Sequence, residues 1–258
     1  MKVSNFKFQI SNLFVAKYIT MFLLVVILLL GAFFRLYKIN EYMTFLGDEG
    51  RDMLVVKRMI VDHKFTLLGP ITSVGSIYMG PVYYYLMIPF LWAWNFNPVG
   101  PSVMVALLAV ATIYLIYKLG KDFFHVQVGL IASFLYAVAP LMITSGRSSW
   151  NPNVVPFFSV LLIYSLLQII VAGKYKWFVV LGLSLGILIQ LHYVTLMFVP
   201  VIALCLYLKR YKFPLKNYLT ALGAFIISYS PFLLFELRHS FVNMQAVFRF
   251  VLQQKTDA

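Results

Sequence analysis

Residues 80–95, GPVYYYLMIPFLWAWN, decide how this chain is threaded. The segment is apolar enough to cross a bilayer, yet Pro89 interrupts it and it is crowded with Tyr and Trp, the residues of membrane–water interfaces. Around it, apolar runs recur near 16–37, 101–117, 126–145, 154–172, 177–191, 194–208 and 217–235. If 80–95 crosses, Lys118/Lys121, Lys174/Lys176 and Lys209/Arg210/Lys212 all end opposite the N-terminal lysines Lys2, Lys7 and Lys17. If it lies at the interface, those loops, with Lys216, share one side with the N-terminus. The bias of basic residues toward cytoplasmic loops selects the second arrangement. The expectation is an all-α polytopic membrane protein of about seven transmembrane helices. Its N-terminus is cytoplasmic, and residues 38–100 form one long external loop carrying two juxtamembrane helices.

Composition agrees. The chain is 62% hydrophobic and 11% charged over 258 residues, and a soluble domain does not repeat such apolar runs. Its formal charge of +13 resides largely in short loops, with no basic face or stacking platform, so the pattern is that of a multi-pass protein of the cell membrane rather than a nucleic-acid binder. The first run lacks a following small-residue cleavage site and reads as a retained span. Cys205, the lone cysteine, lies in an apolar run, which excludes an internal disulfide and a cysteine metal cluster. No repeat or low-complexity tract divides residues 1–258, which read as a single module.

Only eight residues are acidic, and three of them, Asp48, Glu49 and Asp52, crowd the external loop. A helix is expected from after Asp48 to about His63, with Arg51, Arg58 and Asp62 returning to one face, and a turn-rich linker over 68–76 precedes the second helix. Asp48 suits the N-cap of the first helix, with Glu49 favourable at the positive end of its dipole. A carboxylate held there is equally placed to act as general base toward an incoming hydroxyl or amine, and the two roles are compatible. Arg147, in SGRSSWNPN, is either a snorkelling arginine or a recognition group for phosphate, whose oxygens a guanidinium engages in pairs. Trp150, Asn151 and Asn153 around Pro152 suggest a shaped loop. Tyr78, Pro81, Tyr83, Tyr84 and Tyr85 form an aromatic belt or a platform for a sugar ring or isoprenoid chain. His192-Tyr193 marks the outer end of a later span, and Glu236, Arg238 and His239 suggest a local ion pair. The topology places all of these on the same face.

The motifs also resemble a known family. GDEGRDMLVVKRM resembles the acidic motif of the family 39 glycosyltransferases, which include dolichyl-phosphate-mannose protein mannosyltransferases and lipid A aminoarabinose transferases. GPVYYYL resembles the opening of their second juxtamembrane helix, GRSSWNPN their arginine and proline motif, and QLHYVTL a His-Tyr signature, in the same order. The resemblance implies a GT-C fold and transfer of a sugar from a polyprenyl-phosphate donor to a protein or glycolipid acceptor outside the cytoplasm. It implies Asp48 as catalytic base with Glu49 beside it. Arg147 would face the donor phosphate, with Arg51, Arg58 and His192 as further donor-phosphate candidates, and Tyr78, Pro81, Tyr84, Trp150, Asn151 and Tyr193 as a donor or acceptor platform. Many relatives have His-Pro at Gly80-Pro81 and Pro-Asp at Pro152-Asn153, which leaves a divalent metal possible but unassigned to any residue. Relatives are usually longer, so the chain resembles an N-terminal module. A transporter or lipid flippase is the alternative. Apart from Glu236, no acidic residue lies within a span to form a coupling path. A noncatalytic membrane subunit is the third reading.

Overall fold

Each run read as a span is helical in the structure. The computed structural model describes residues 2–72, 77–209 and 213–253, the side chains of 2–15, 250, 251 and 253 lying outside that description. The end of the turn-rich linker at 73–76, the basic residues 210–212 and the Lys2 and Lys7 side chains therefore lie outside the described residues. α1 (Lys2–Leu36) is followed by the single turn α2 (Ile39–Tyr42), α3 (Gly47–Val61) and α4 (Val82–Ala93). Then come α5 (Val99–Phe123), α6 (Val126–Val138) and α7 (Pro140–Ser145). A 3-10 turn, Asn151–Val154, leads into α8 (Val155–Ile170), and α9 (Trp177–Leu191) into a second, Tyr193–Met197, with α10 (Phe198–Leu208), α11 (Leu215–Arg238) and α12 (Val242–Gln253) completing the order.

Four helical stretches, Ala16–Leu36, Val99–Phe123, Asn151–Ile170 and Leu215–Arg238, are long and apolar enough to cross a membrane. The runs at 126–138, 177–191 and 193–208 are shorter apolar helices, below the roughly 20 residues that span hydrocarbon unaided. The single span expected over 126–145 is broken at Ala139, and Pro140 opens α7. Proline has no N–H to offer the carbonyl of Tyr136, so α6 ends there.

The segment between α1 and α5 forms the two helices that the sequence pattern expects, α3 opening at Gly47 rather than after Asp48. On α3, Glu49, Asp52, Met53, Val56 and Met59 are buried at helical spacing, while Arg58 is exposed. On α4, Tyr83, Tyr84, Met87 and Leu91 are buried and join Met53, Val56 and Met59 with Met104 and Val105 of α5 in the main core. The linker between them pairs back on itself: the Met79 N–H donates to the Pro70 carbonyl at 2.8 Å and the Gly69 N–H to the Met79 carbonyl at 2.9 Å. Together these pieces hold the N-terminus of α3 against the loop that follows α7.

Candidate active site

α3 starts earlier than an Asp48 cap requires. Leu46 is extended and holds the N-cap position, so Asp48 and Glu49 both fall in the first turn, where negative charge meets the helix dipole. The capping expected of Asp48 is performed by Glu49, whose Oε2 accepts the Leu46 N–H at 3.0 Å. Its Oε1 accepts the Ser148 hydroxyl at 3.0 Å, and the residue is buried. Glu49 therefore latches the start of α3 to the loop carrying Arg147.

Asp48 points the other way. Its side chain is 54% exposed, and Arg51 Nη1 donates to its Oδ1 at 3.0 Å. Among the described residues nothing else donates to this carboxylate, so its second oxygen is open to a ligand. Arg51 also donates through Nε and Nη2 to Asp52 Oδ1, at 3.0 and 2.9 Å. The Tyr84 hydroxyl donates to that same oxygen at 2.9 Å. Asp52 is fully buried and its Oδ2 has no partner among the described residues. Burial pushes its carboxyl above the ordinary aspartate range, and the Arg51 and Tyr84 contacts offset this only in part. The order Asp48, Arg51, Asp52, Tyr84 is thus a connected chain from an exposed carboxylate into the core.

An open cleft of about 480 Å³, in the size range of small-ligand sites, lies at the Asp48 end of this chain. Thr44, Asp48 and Glu49 line one wall; Ser145, Ser148 and Trp150 line the other. Asn153 holds the second wall in shape by donating to the Ser148 carbonyl at 2.9 Å.

Two arginines stand behind the loop. Arg147 is half-buried, its guanidinium 5.0 Å from the Tyr42 ring centroid and its Nε buried without a partner. Arg35, near the end of α1, is fully buried. It donates to the carbonyls of Gly31 (3.1 Å), Ala137 (3.0 Å) and Tyr136 (3.2 Å), the last being the carbonyl that Pro140 leaves unpaired. Gly146 sits against it, since a Cβ there would lie 3.0 Å from Arg35 Nε. Neither arginine has a carboxylate partner among the described residues. Arg35 is sealed into the packing by those carbonyls, so Arg147 is the guanidinium of the two left partly open, although neither lines the cleft.

The other residues singled out from the sequence serve elsewhere. Tyr193 donates its hydroxyl to the Tyr78 carbonyl, and Tyr78 donates its N–H to Asn243 Oδ1 at 3.0 Å. Asn151 Nδ2 donates to the Leu191 carbonyl at 2.7 Å, and His192 Nδ1 accepts the Val194 N–H at 3.2 Å. These contacts tie the α9 end to neighbouring segments; none of the four residues lines the cleft. Pro81 is buried at the start of α4, and Arg58 is exposed along α3, away from the cleft. Glu236 does not form the local ion pair expected with Arg238 and His239. Buried, it accepts from Asn243 Nδ2 at 2.8 Å and the Met244 N–H at 3.1 Å, capping the start of α12. Among the described residues no three His, Cys, Asp or Glu side chains gather as metal ligands. Ser148, Asp52 and Arg35 are the residues that sequence reasoning passed over. Ser148 lies within SGRSSWNPN, Asp52 is a third acid beside the Asp48-Glu49 pair, and an ionisable group at the end of an apolar run is the available signal for Arg35.

Residues 79–235 match the family model described as dolichyl-phosphate-mannose-protein mannosyltransferase. The match runs from the residues before α4 through nearly all of α11, so it includes Arg147 and the 148–153 loop, while Asp48 and Glu49 precede it. No curated protein matches the chain.

Proposed function

This chain belongs to the dolichyl-phosphate-mannose-protein mannosyltransferase family, membrane glycosyltransferases of the GT-C type, and from that premise we propose the reaction it performs. It moves a sugar from a polyprenyl-phosphate donor to a hydroxyl or amine of a protein or glycolipid on the extracytoplasmic face. The observation that carries this reading is the exposed Asp48 carboxylate, fixed by Arg51 at the mouth of a cleft whose far wall belongs to the Arg147 loop.

In this reaction the acceptor enters the cleft and gives its proton to Asp48 Oδ2. The acceptor atom forms the new bond to the anomeric carbon as the bond from that carbon to the phosphate oxygen breaks. The electron pair leaves with the polyprenyl phosphate, and Arg147 stabilises the added charge. Attack and departure occur on opposite faces, so the anomeric configuration inverts. Because the donor is already activated, the protein needs only to supply a base, a countercharge and alignment. Arg51 keeps Asp48 oriented, and Asp52 with Tyr84 keeps Arg51 oriented. Glu49 sets the position of the two walls through Ser148.

The test is turnover of a panel of labelled polyprenyl-phosphate sugars by the purified protein and by its Arg147→Ala variant. Transfer from at least one donor, weakened in the variant chiefly through a higher KM for that donor, is the expected result. Transfer from a nucleotide sugar with none from any lipid phosphate would remove the donor assignment.

A further inference from the structure

A second groove, of about 680 Å³, lies at the other end of α1, between that helix and the α5–α6 hairpin. Its walls are apolar along the spans, with Met21, Leu24 and Tyr114, and its mouth carries Lys17, Lys118 and Lys121. The gap is built into the packing. Gly120 and Gly129 bring α5 and α6 so close that a Cβ on either would meet backbone of the other within 2.5 Å. Toward the cleft, α1 is held to the hairpin by Ile27 against Ile113 and Ala137. Tight at one end and facing a hairpin that cannot spread, α1 leaves a slot at the other.

The charge of this slot is not balanced. Lys118 Nζ is paired with Asp122 Oδ2 at 2.9 Å, and that carboxylate is also taken by the Tyr164 hydroxyl at 2.6 Å. Lys121 lies over the Tyr117 ring at 5.8 Å, and Lys17 is exposed; neither has a carboxylate partner among the described residues. The N-terminal segment cannot supply one, because the first acidic residue of the chain is Glu41. His125, also lining the groove, is paired with Gln127 at 2.9 Å.

We propose that this groove binds an acidic membrane phospholipid, its headgroup phosphate between Lys17 and Lys121 and one acyl chain along Met21, Leu24 and Tyr114. A phosphate at the level of the lysines with hydrocarbon beneath matches both halves of the slot. The site is separate from the catalytic reading and stands or falls independently of it. The test is native mass spectrometry of the full chain, exchanged from detergent into mixtures of phosphatidylglycerol and phosphatidylcholine. Wild type is expected to retain phosphatidylglycerol selectively. Lys17→Gln and Lys121→Gln, singly and together, are each expected to reduce that retention about 5-fold per lysine removed. Lys174→Gln/Lys176→Gln, a basic loop outside the groove, is expected to leave it unchanged. Equal retention of both lipids, undiminished retention in the folded Lys17 and Lys121 variants, an equal fall in the Lys174/Lys176 control, or displacement by excess inorganic phosphate would overturn the proposal.

Discussion

A buried carboxylate must be hydrogen-bonded or give up its charge, and the two inward acids of α3 meet that demand differently. Glu49 accepts from Leu46 and Ser148, so Ser148→Ala is expected to cost about 1–3 kcal/mol by leaving a buried oxygen unpaired. Thermal unfolding in detergent checks this, and an unchanged midpoint would mean that the latch contributes nothing. Asp52 has one free oxygen, and burial raises its carboxyl above its unfolded value of about 3.9. A raised carboxyl binds its proton more tightly when folded. Its contribution to stability is therefore fully present below pH ~4 and is lost as pH rises through the folded value. Asp52→Asn removes that loss, so the stability of the variant relative to wild type should improve from pH 4 to pH 7; a difference independent of pH would contradict the assignment. At this scale the sequence exposed the important residues through scarcity, eight acids in 258 residues. It could not assign their roles, because either of two adjacent acids at a helix start can cap it, and a shift of the start by two residues exchanges them. Arg35 was hidden because a basic residue ending an apolar run reads as a snorkelling side chain, whereas here it closes the carbonyls left by Pro140.

Among the elements, the long helices were legible because apolar length leaves few alternatives, and the pair α3 and α4 because their buried positions recur at helical spacing. The break at Ala139 was not, although Pro140 was in view, since proline is also tolerated inside helices, as Pro89 and Pro231 are in α4 and α11. The α5–α6 contact was also illegible: nothing in a sequence tells which glycines let two helices touch. At Gly129 a Cβ would lie 2.5 Å from the Tyr117 carbonyl oxygen and 3.0 Å from the Lys121 N, both backbone atoms that cannot swing aside. Gly129→Val is therefore expected to cost at least about 1–3 kcal/mol, seen as a lowered unfolding midpoint or loss of monodisperse protein. Wild-type behaviour would show that the helices can part without penalty.

For the molecule as a whole, the bias of basic residues toward cytoplasmic loops is the ground on which we propose one orientation, with the Lys174/Lys176 loop in the cytoplasm and the α3–α4 segment outside. In a Cys205→Ser background, a cysteine at exposed Phe65 should react with a membrane-impermeant maleimide in intact cells, and one at exposed Lys174 only after lysis. The reverse pattern would place the cleft in the cytoplasm. The main core joins α3 and α4 to α5, α8 and α9, and a smaller cluster of Ile27, Ile113 and Ala137 joins α1 to α5 and α6. What the sequence could not supply was the pairing of the Asp48 segment with the Arg147 loop, which arises from contacts about a hundred residues apart, such as Ser148 to Glu49. In the proposed reaction the labour divides between neighbours, with Glu49 latching the two walls and Asp48 serving as base. That division is tested most directly by single-turnover transfer of labelled sugar from polyprenyl phosphate with Asp48→Asn and Glu49→Gln, each checked for folding. A loss of about 10²- to 10⁴-fold is expected for Asp48→Asn, with a smaller rate loss and a lowered unfolding midpoint for Glu49→Gln. Full transfer by folded Asp48→Asn would contradict it.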